Sequence, residues 1–489
     1  MKFDFTRKFI RKGKIIMFEY LTAGESHGPE VTAIIKQLPA GLKINFQELN
    51  HQLARRQGGY GRGGRMKIES DQAIITSGVR QGITLGTPLT LRIKNKDWEN
   101  WQSVMAIESR ETGPNNDKTN ETVESDKNSR KVTKPRPGHA DLPGAQKFNF
   151  RDMRNVLERA SARETAARSA VGAICRQFLA EFDIRVYSHV TRIGSITSPN
   201  WLDIHQQISP DFFGSHGTFG SPDSPDSHDS SDSLDSLDSS DSSDSNNYTG
   251  FPGSPGSGGP YNSSDSPGFS DFSSLSNPEE YFATVENSPL RCGSESTTRK
   301  MKELIDAWKK KGDSVGGVFE VVITGLPPGL GSHTHWDLKL DGRLAGALMS
   351  IQAIKGVEIG AGFAGAALPG SEFHDEIYHD HQRGFYRSSN RAGGLEGGIT
   401  NGEMLTVRAA MKPIPTLSTP LHSVHIDSKE ETTAARERSD NCAVPAASIV
   451  GEAVSAIILA QTLVEKTGGD SMTEIKRNYN SYLEQLKNF

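Results

Sequence analysis

Two histidines set among turn-forming residues are the first places where this chain could do chemistry. His27 stands in Gly24-Glu25-Ser26-His27-Gly28-Pro29 and His139 in Arg136-Pro137-Gly138-His139-Ala140-Asp141. Histidine is the side chain whose unperturbed pKa lies near neutrality, so two of them on rigid turns suit proton transfer. Taken alone, each could equally be a hydrogen-bonded turn residue. Between them runs Arg55-Arg56-Gln57-Gly58-Gly59-Tyr60-Gly61-Arg62-Gly63-Gly64-Arg65, with four arginines in eleven positions. Glycines let backbone approach a ligand, and guanidinium forks grip phosphate and carboxylate. The stretch reads as an anion site.

Its neighbours decide between rival readings. A literal Gly-x-Gly-x-x-Gly lies at Gly59, Gly61 and Gly64, but a dinucleotide-binding turn follows a strand and opens a helix. Here residues 46–57 read as a helix, with Phe46, Leu49 and Leu53 on one face, and residues 73–93 read as strands. The order is reversed. An Arg-Gly nucleic-acid tract would repeat within polar low-complexity sequence, whereas this one occurs once between ordered elements.

Gly24 to Pro29, the Arg56 to Arg65 loop followed by Glu69-Ser70-Asp71, and Arg136 to Asp141 together resemble chorismate synthase. Ser161-Ala162-Arg163-Glu164-Thr165-Ala166-Ala167-Arg168, Lys412-Pro413-Ile414-Pro415-Thr416 and Arg438-Ser439-Asp440-Asn441-Cys442-Ala443-Val444-Pro445-Ala446-Ala447 extend the resemblance in the family's order. It covers roughly residues 18–486 apart from one large insert.

The resemblance implies 1,4-anti elimination of phosphate from 5-enolpyruvylshikimate 3-phosphate, giving chorismate, with reduced FMN required although nothing is oxidised overall. It implies an α+β fold, a β-α-β sandwich with helices packed between antiparallel sheets, in a homotetramer. His27 would be the acid at the departing phosphate, His139 would protonate the reduced flavin near its N1 and O2 edge, and Asp440 would assist proton removal at N5. Arg56, Arg62 and Arg65 would grip substrate anions, with Arg56 and Arg62 also tied to NADP. Flavin contacts would come from Arg159, Ala160, Ser161, Gln352, Ala353, Gly397, Lys412, Pro413, Ile414, Pro415, Thr416 and Arg438. Gln352-Ala353 departs mildly from the Asn-Ala that other members often carry. NADPH or a separate flavin reductase would supply the reducing equivalents.

Composition sets the frame for these residues. The chain has 489 residues, 34% of them hydrophobic and 24% charged, which suits a soluble protein with a large core. Cys175, Cys292 and Cys442 lack ligand spacing, so neither a metal site nor a disulfide framework is expected, and a cytoplasmic location fits. No apolar run is expected to approach the length of a membrane span.

Residues 1–16 carry six basic side chains against Asp4 and read as a basic extension, either from an upstream or misassigned start or as a presequence. Residues 17–489 then form one catalytic domain, interrupted at 205–285 by a Ser/Asp-rich insert. Between Ile193 and Leu290 there is no lysine or arginine but fifteen acidic residues, and Asp223 to Asp244 recur every third position. That period matches neither helix nor strand, so the segment is expected to be disordered. Setting its fifteen negative charges aside from the total of −5 leaves the rest at +10, which suits a polyanionic small substrate and would also suit nucleic acid.

Helices are expected over residues 150–182, 298–311, 337–352, 446–466 and 471–488, and strands over 31–38, 185–193, 316–325 and 403–411. A nucleic-acid binder using the Arg-Gly loop, and an inactive scaffold displaying the acidic segment, are the competing readings. Neither a nucleic acid nor a membrane is expected as partner.

Overall fold

The structure, a computed structural model, describes residues 18–63, 70–108, 131–208, 277–437 and 440–489, with only the backbone of 206–208. The extension 1–16, the aspartate repeat, Arg65 and Arg438 lie outside them.

Strands β1 (Glu19–Ala23), β2 (Glu30–Lys36), β3 (Ala73–Ser77) and β4 (Leu89–Lys94) form an antiparallel sheet in the order β1-β2-β4-β3. Side chains alternate across a strand, and Val31, Ala33 and Ile35 on β2 with Leu89, Leu91 and Ile93 on β4 are the buried set. The β1–β2 connection is the first histidine turn. Gly24 there has φ +107°, and a Cβ would lie 2.4 Å from the Glu30 carbonyl oxygen, so only glycine lets the turn close.

A second antiparallel sheet contains β5 (Arg185–Ile193), β6 (Ile196–Thr197), β7 (Gly317–Thr324), β8 (Ile354–Ile359) and β9 (Leu405–Met411), in the order β8-β9-β7-β5-β6. The helices include α1 (Phe46–Gln57), α2 (Arg154–Ala160), α3 (Thr165–Ala180), α4 (Trp201–Ile208), α5 (Pro278–Asn287) and α6 (Val444–Thr467). Helix α3 packs on β2 and β4, α6 packs on β5 and β7, and the two helices pack against each other. Gly172 permits that approach, because a Cβ there would come 2.4 Å from the Ala453 Cβ.

Three expectations need correction. The helix expected over 150–182 is broken: Ser161 takes extended backbone, and its hydroxyl accepts from the Arg163 N–H at 3.2 Å, capping the turn that leads into α3. Helix α6 is long and apolar enough to cross a membrane, with mean hydropathy 1.7 over its most apolar window, yet 89% of that window is buried in the fold. The insert's expected bounds also overshoot, because its two ends are helical. Asn277 caps α5 by accepting from the Glu280 N–H at 2.9 Å, and Tyr281, Phe282 and Val285 bury themselves with Trp201 and Ile204 of α4 against Val322. Those apolar side chains have a sheet face to cover.

Candidate active site

His27 is held from beneath by helix α2. Its Nδ1 lies 2.9 and 3.0 Å from the two carboxylate oxygens of Glu158, and its backbone N–H donates to Glu158 Oε2 at 2.8 Å. Glu158 is 2% exposed. Burial pushes its carboxyl upward, but the contacts with His27 and with Arg154, whose Nη1 donates to Oε1 at 3.0 Å, outweigh that and hold it below its ordinary value. An ionised carboxylate only accepts hydrogen bonds, so Nδ1 carries a proton and donates it. Nε2 is then the ring atom whose protonation can change. The ring lies on Trp101 with centroids 3.8 Å apart, and Arg154 covers the same indole at 5.0 Å.

His139 is held locally. Its Nδ1 lies 2.6 Å from Asp141 Oδ1, and Arg136 donates to the same carboxylate through Nε at 2.8 Å and Nη2 at 3.0 Å. Asp141 is fully buried. Burial again pushes its carboxyl upward, and His139 with Arg136 more than reverses this, leaving it well below the carboxylate range. Arg136 Nη1 reaches Thr416 Oγ1 at 3.0 Å.

The three described arginines of the loop divide. Arg55 turns inward to Glu452, which also meets Arg176 and Arg291. Burial opposes ionisation of Glu452, but the three guanidiniums prevail and hold its pKa down at about 2. Arg56 is 5% exposed; it donates to Thr165 Oγ1 at 2.9 Å and to the Ala162 carbonyl at 3.1 Å, and pairs with Asp71 at 3.3 Å. Arg62 pairs through Nη1 with Asp440 Oδ2 at 2.7 Å, and the Gly63 N–H donates to Asp440 Oδ1 at 2.6 Å. The loop thus brings Asp440 to Arg62 and turns two arginines into the fold.

The expected flavin stretches fall along one run of contacts between the histidines. Arg159, on the same helix as Glu158, donates to the Gly24 and Thr22 carbonyls at 3.1 and 3.0 Å; Ala160 follows, and Ser161 donates to Ser26 Oγ at 3.1 Å. Thr22 Oγ1 donates to Glu164 at 2.9 Å, and Gln352 Nε2 donates to Glu164 at 3.5 Å. The Lys412 N–H donates to the Ala353 carbonyl at 2.9 Å, and Lys412 Nζ donates to the Gly138 carbonyl beside His139. Burial, then Lys355, push the Lys412 ammonium below its ordinary pKa. Beyond Pro413, the Ile414 carbonyl accepts from Ser314 at 2.7 Å, and Thr416 follows Pro415 to meet Arg136. Asp440 joins this run through Asn441, which donates to the Asp313 carbonyl at 2.9 Å.

Gly397 stands elsewhere, in the turn between Leu395–Glu396 and Ile399–Thr400, where a Cβ would meet only His333 at 4.0 Å. Sequence reasoning assigned no role to Glu158, Arg154 or Trp101, and it quoted Asp141 only as part of a motif. Among the described residues no cluster of histidine, cysteine or acidic side chains could hold a metal, and all three cysteines are buried and free.

Known proteins share this arrangement of sequence and fold. The family model for chorismate synthase matches residues 18–464. Chorismate synthase of Desulforamulus reducens is 48% identical over 471 residues, covering 96% of this chain and all of that one. The Geobacter sulfurreducens enzyme of the same name is 47% identical over 480 residues, covering 97% of this chain and all of that one, and the Aquifex aeolicus enzyme is 46% identical over 473, covering 96% and 98%. A crystal structure of chorismate synthase superposes with TM-score 0.65 at 38% identity, covering 96% of this chain and 99% of the other. With identity at this level along nearly the whole length of both partners, the chain belongs to the chorismate synthase family.

Proposed function

We propose that the two carboxylate-held histidines, together with Arg62 and Asp440, carry out the family's reaction in this chain: elimination of phosphate from 5-enolpyruvylshikimate 3-phosphate to give chorismate. The protein is a carbon–oxygen lyase of the shikimate pathway to aromatic amino acids. The observation that carries the residue assignments is the contact run from His27 to His139, because it sets two proton-exchanging groups at the two ends of one surface that bears Arg159 and Lys412.

That surface suits reduced FMN, the finer identity of the flavin the family requires. At Gly138 a Cβ would sit 3.1 Å from Lys412 Nζ and 3.6 Å from Pro415, so this turn approaches the Lys412 to Thr416 segment closely, and Arg159 and Lys412, at different points of the run, are donors that match a phosphate and an electron-rich ring edge. Arg159, Ala160, Ser161, Gln352, Ala353 and Lys412 to Thr416 would hold it, with Gly397 and Arg438 completing the set. When bound, reduced flavin lends electron density to the allylic system as phosphate leaves and takes up the proton lost from carbon.

The chain's own residues do the remaining work. Arg62 and Arg65 grip the substrate's anions, while Arg56, turned toward Asp71 and Thr165, holds the base of their loop. His27 donates a proton from Nε2 to the departing phosphate. His139 does the same at the flavin's N1 and O2 edge, and Asp440, shared between Arg62 and Gly63, assists proton removal at N5. Helices packed between the two antiparallel sheets support the β-α-β sandwich reading, and exposed Leu21, Ile34 and Ile74 on the outer face of the first sheet are consistent with a homotetramer. A cytoplasmic location accords with three free thiols.

The test is anaerobic incubation of the substrate with chemically reduced FMN. Stoichiometric phosphate and chorismate are expected; no phosphate release by the folded protein would overturn the reading. A parallel reaction with NADPH and oxidised FMN decides between an internal reduction of flavin and a separate reductase.

A further inference from the structure

We infer that Glu158 is a positioning residue for the elimination, holding the His27 ring in the tautomer and orientation that present Nε2 to the departing phosphate. The inference rests on the assignment of His27 as the acid. Glu158 binds the same residue at two points, ring Nδ1 at 2.9 and 3.0 Å and backbone N–H at 2.8 Å. With the backbone and one ring nitrogen both fixed, the imidazole has no freedom to rotate, and Trp101 at 3.8 Å closes one of its faces.

The carboxylate is itself held. Arg154 donates to Oε1 at 3.0 Å, and the Ser26 N–H donates to the Glu158 backbone carbonyl at 3.0 Å, so helix α2 and the histidine turn are locked together on both sides of the residue. Arg154 also neutralises the anion, which keeps Glu158 from competing for the proton on Nδ1. Through the reaction that proton stays on Nδ1; the one that moves leaves Nε2 for a phosphate oxygen, and the ring ends neutral with its Nδ1–H still on Glu158.

Glutamine keeps one acceptor oxygen and sets an NH2 donor where the other oxygen now accepts from the His27 backbone N–H, so it cannot serve all three donors. Glu158→Gln is expected to lower kcat at least about tenfold while KM and flavin affinity stay within about twofold, and Glu158→Asp to recover part of the loss. In nitrogen-15 spectra of wild-type protein with labelled histidine, the His27 ring, assigned by its absence in His27→Ala, should be the Nδ1–H tautomer when neutral.

An inactive His27→Ala beside a Glu158→Gln variant with wild-type kcat would overturn the inference and leave the acid assignment standing. Normal turnover in His27→Ala would remove the assignment and the inference with it. Should Glu158→Gln fail to bind flavin or fold, the wild-type spectrum still decides, since an Nε2–H tautomer contradicts the proposal.

Discussion

The sites around His27 and His139 use the same three parts in the same order, a histidine Nδ1, a buried carboxylate and an arginine, yet they are assembled at different range. Asp141 and Arg136 lie two and three positions from His139 in a single turn. Glu158 lies 131 positions from His27 and reaches it only because helix α2 docks against the β1–β2 turn. Geometry made within one turn depends on that turn alone, whereas geometry made across the fold is only as firm as the packing that joins the two elements. His27 accordingly carries extra ties, an aromatic floor in Trp101 and two hydrogen bonds from Asn95 to the carbonyls of Ser26 and Gly28.

The sharpest way to separate the sites is to remove each histidine. His27→Ala and His139→Ala are each expected to keep flavin and to lose about 10² to 10⁴ in kcat. Near-normal turnover of both under anaerobic reducing conditions would remove the two proton-donor roles together.

Acid titration of stability tests the carboxylates. Both have folded-state pKa values below their ordinary ones, so the stability they contribute is present above the unfolded values, about 3.9 for aspartate and 4.3 for glutamate, and is lost as pH falls through the folded values. Asp141→Asn should destabilise the protein by about 3 kcal/mol at neutral pH, because it breaks a buried pair. That difference should shrink in denaturant melts below about pH 4; a difference that grows on acidification would show the sign to be wrong.

Arg62→Ala acts on both sites alike, since it removes an anion contact rather than a proton donor. Substrate affinity should fall more than about tenfold, the equivalent of a charge-assisted contact of roughly 1.5 to 3 kcal/mol, with flavin affinity kept. Unchanged substrate affinity would take the loop out of the site. The smallest effect is expected from Trp101→Leu, which should slow only the His27 function, by a few-fold, as an aromatic contact contributes about 0.5 to 1.5 kcal/mol. Slowing of the His139 function in this variant would erase the distinction between the two sites.

The same contrast of range explains what could be read from the chain in advance. Helix α1 and strand β5 run over the residues that periodicity predicts, and the His139 motif already contains its carboxylate at i+2. Glu158 gives no such signal, because two glutamates on neighbouring helical stretches look alike until one is docked under a turn. The arginine stretch was legible in sign and not in direction, although a clue existed: Leu49, Leu53 and Arg56 fall on one helical face, so Arg56 had to point where the leucines point. Helix α5 also announced itself, with Asn277 and Pro278 as a start signal and Tyr281, Phe282 and Val285 behind them, but the composition of the acidic segment around it hid the pattern.

The division of labour between the two histidines is tested most directly by single-turnover reaction of His27→Ala and His139→Ala with pre-reduced FMN, following phosphate release and the absorbance of bound reduced flavin together. Slow phosphate release with a wild-type flavin spectrum is the prediction for His27→Ala, and a flavin spectrum shifted toward the anion is the prediction for His139→Ala. Identical behaviour of the two variants in both signals would contradict the account.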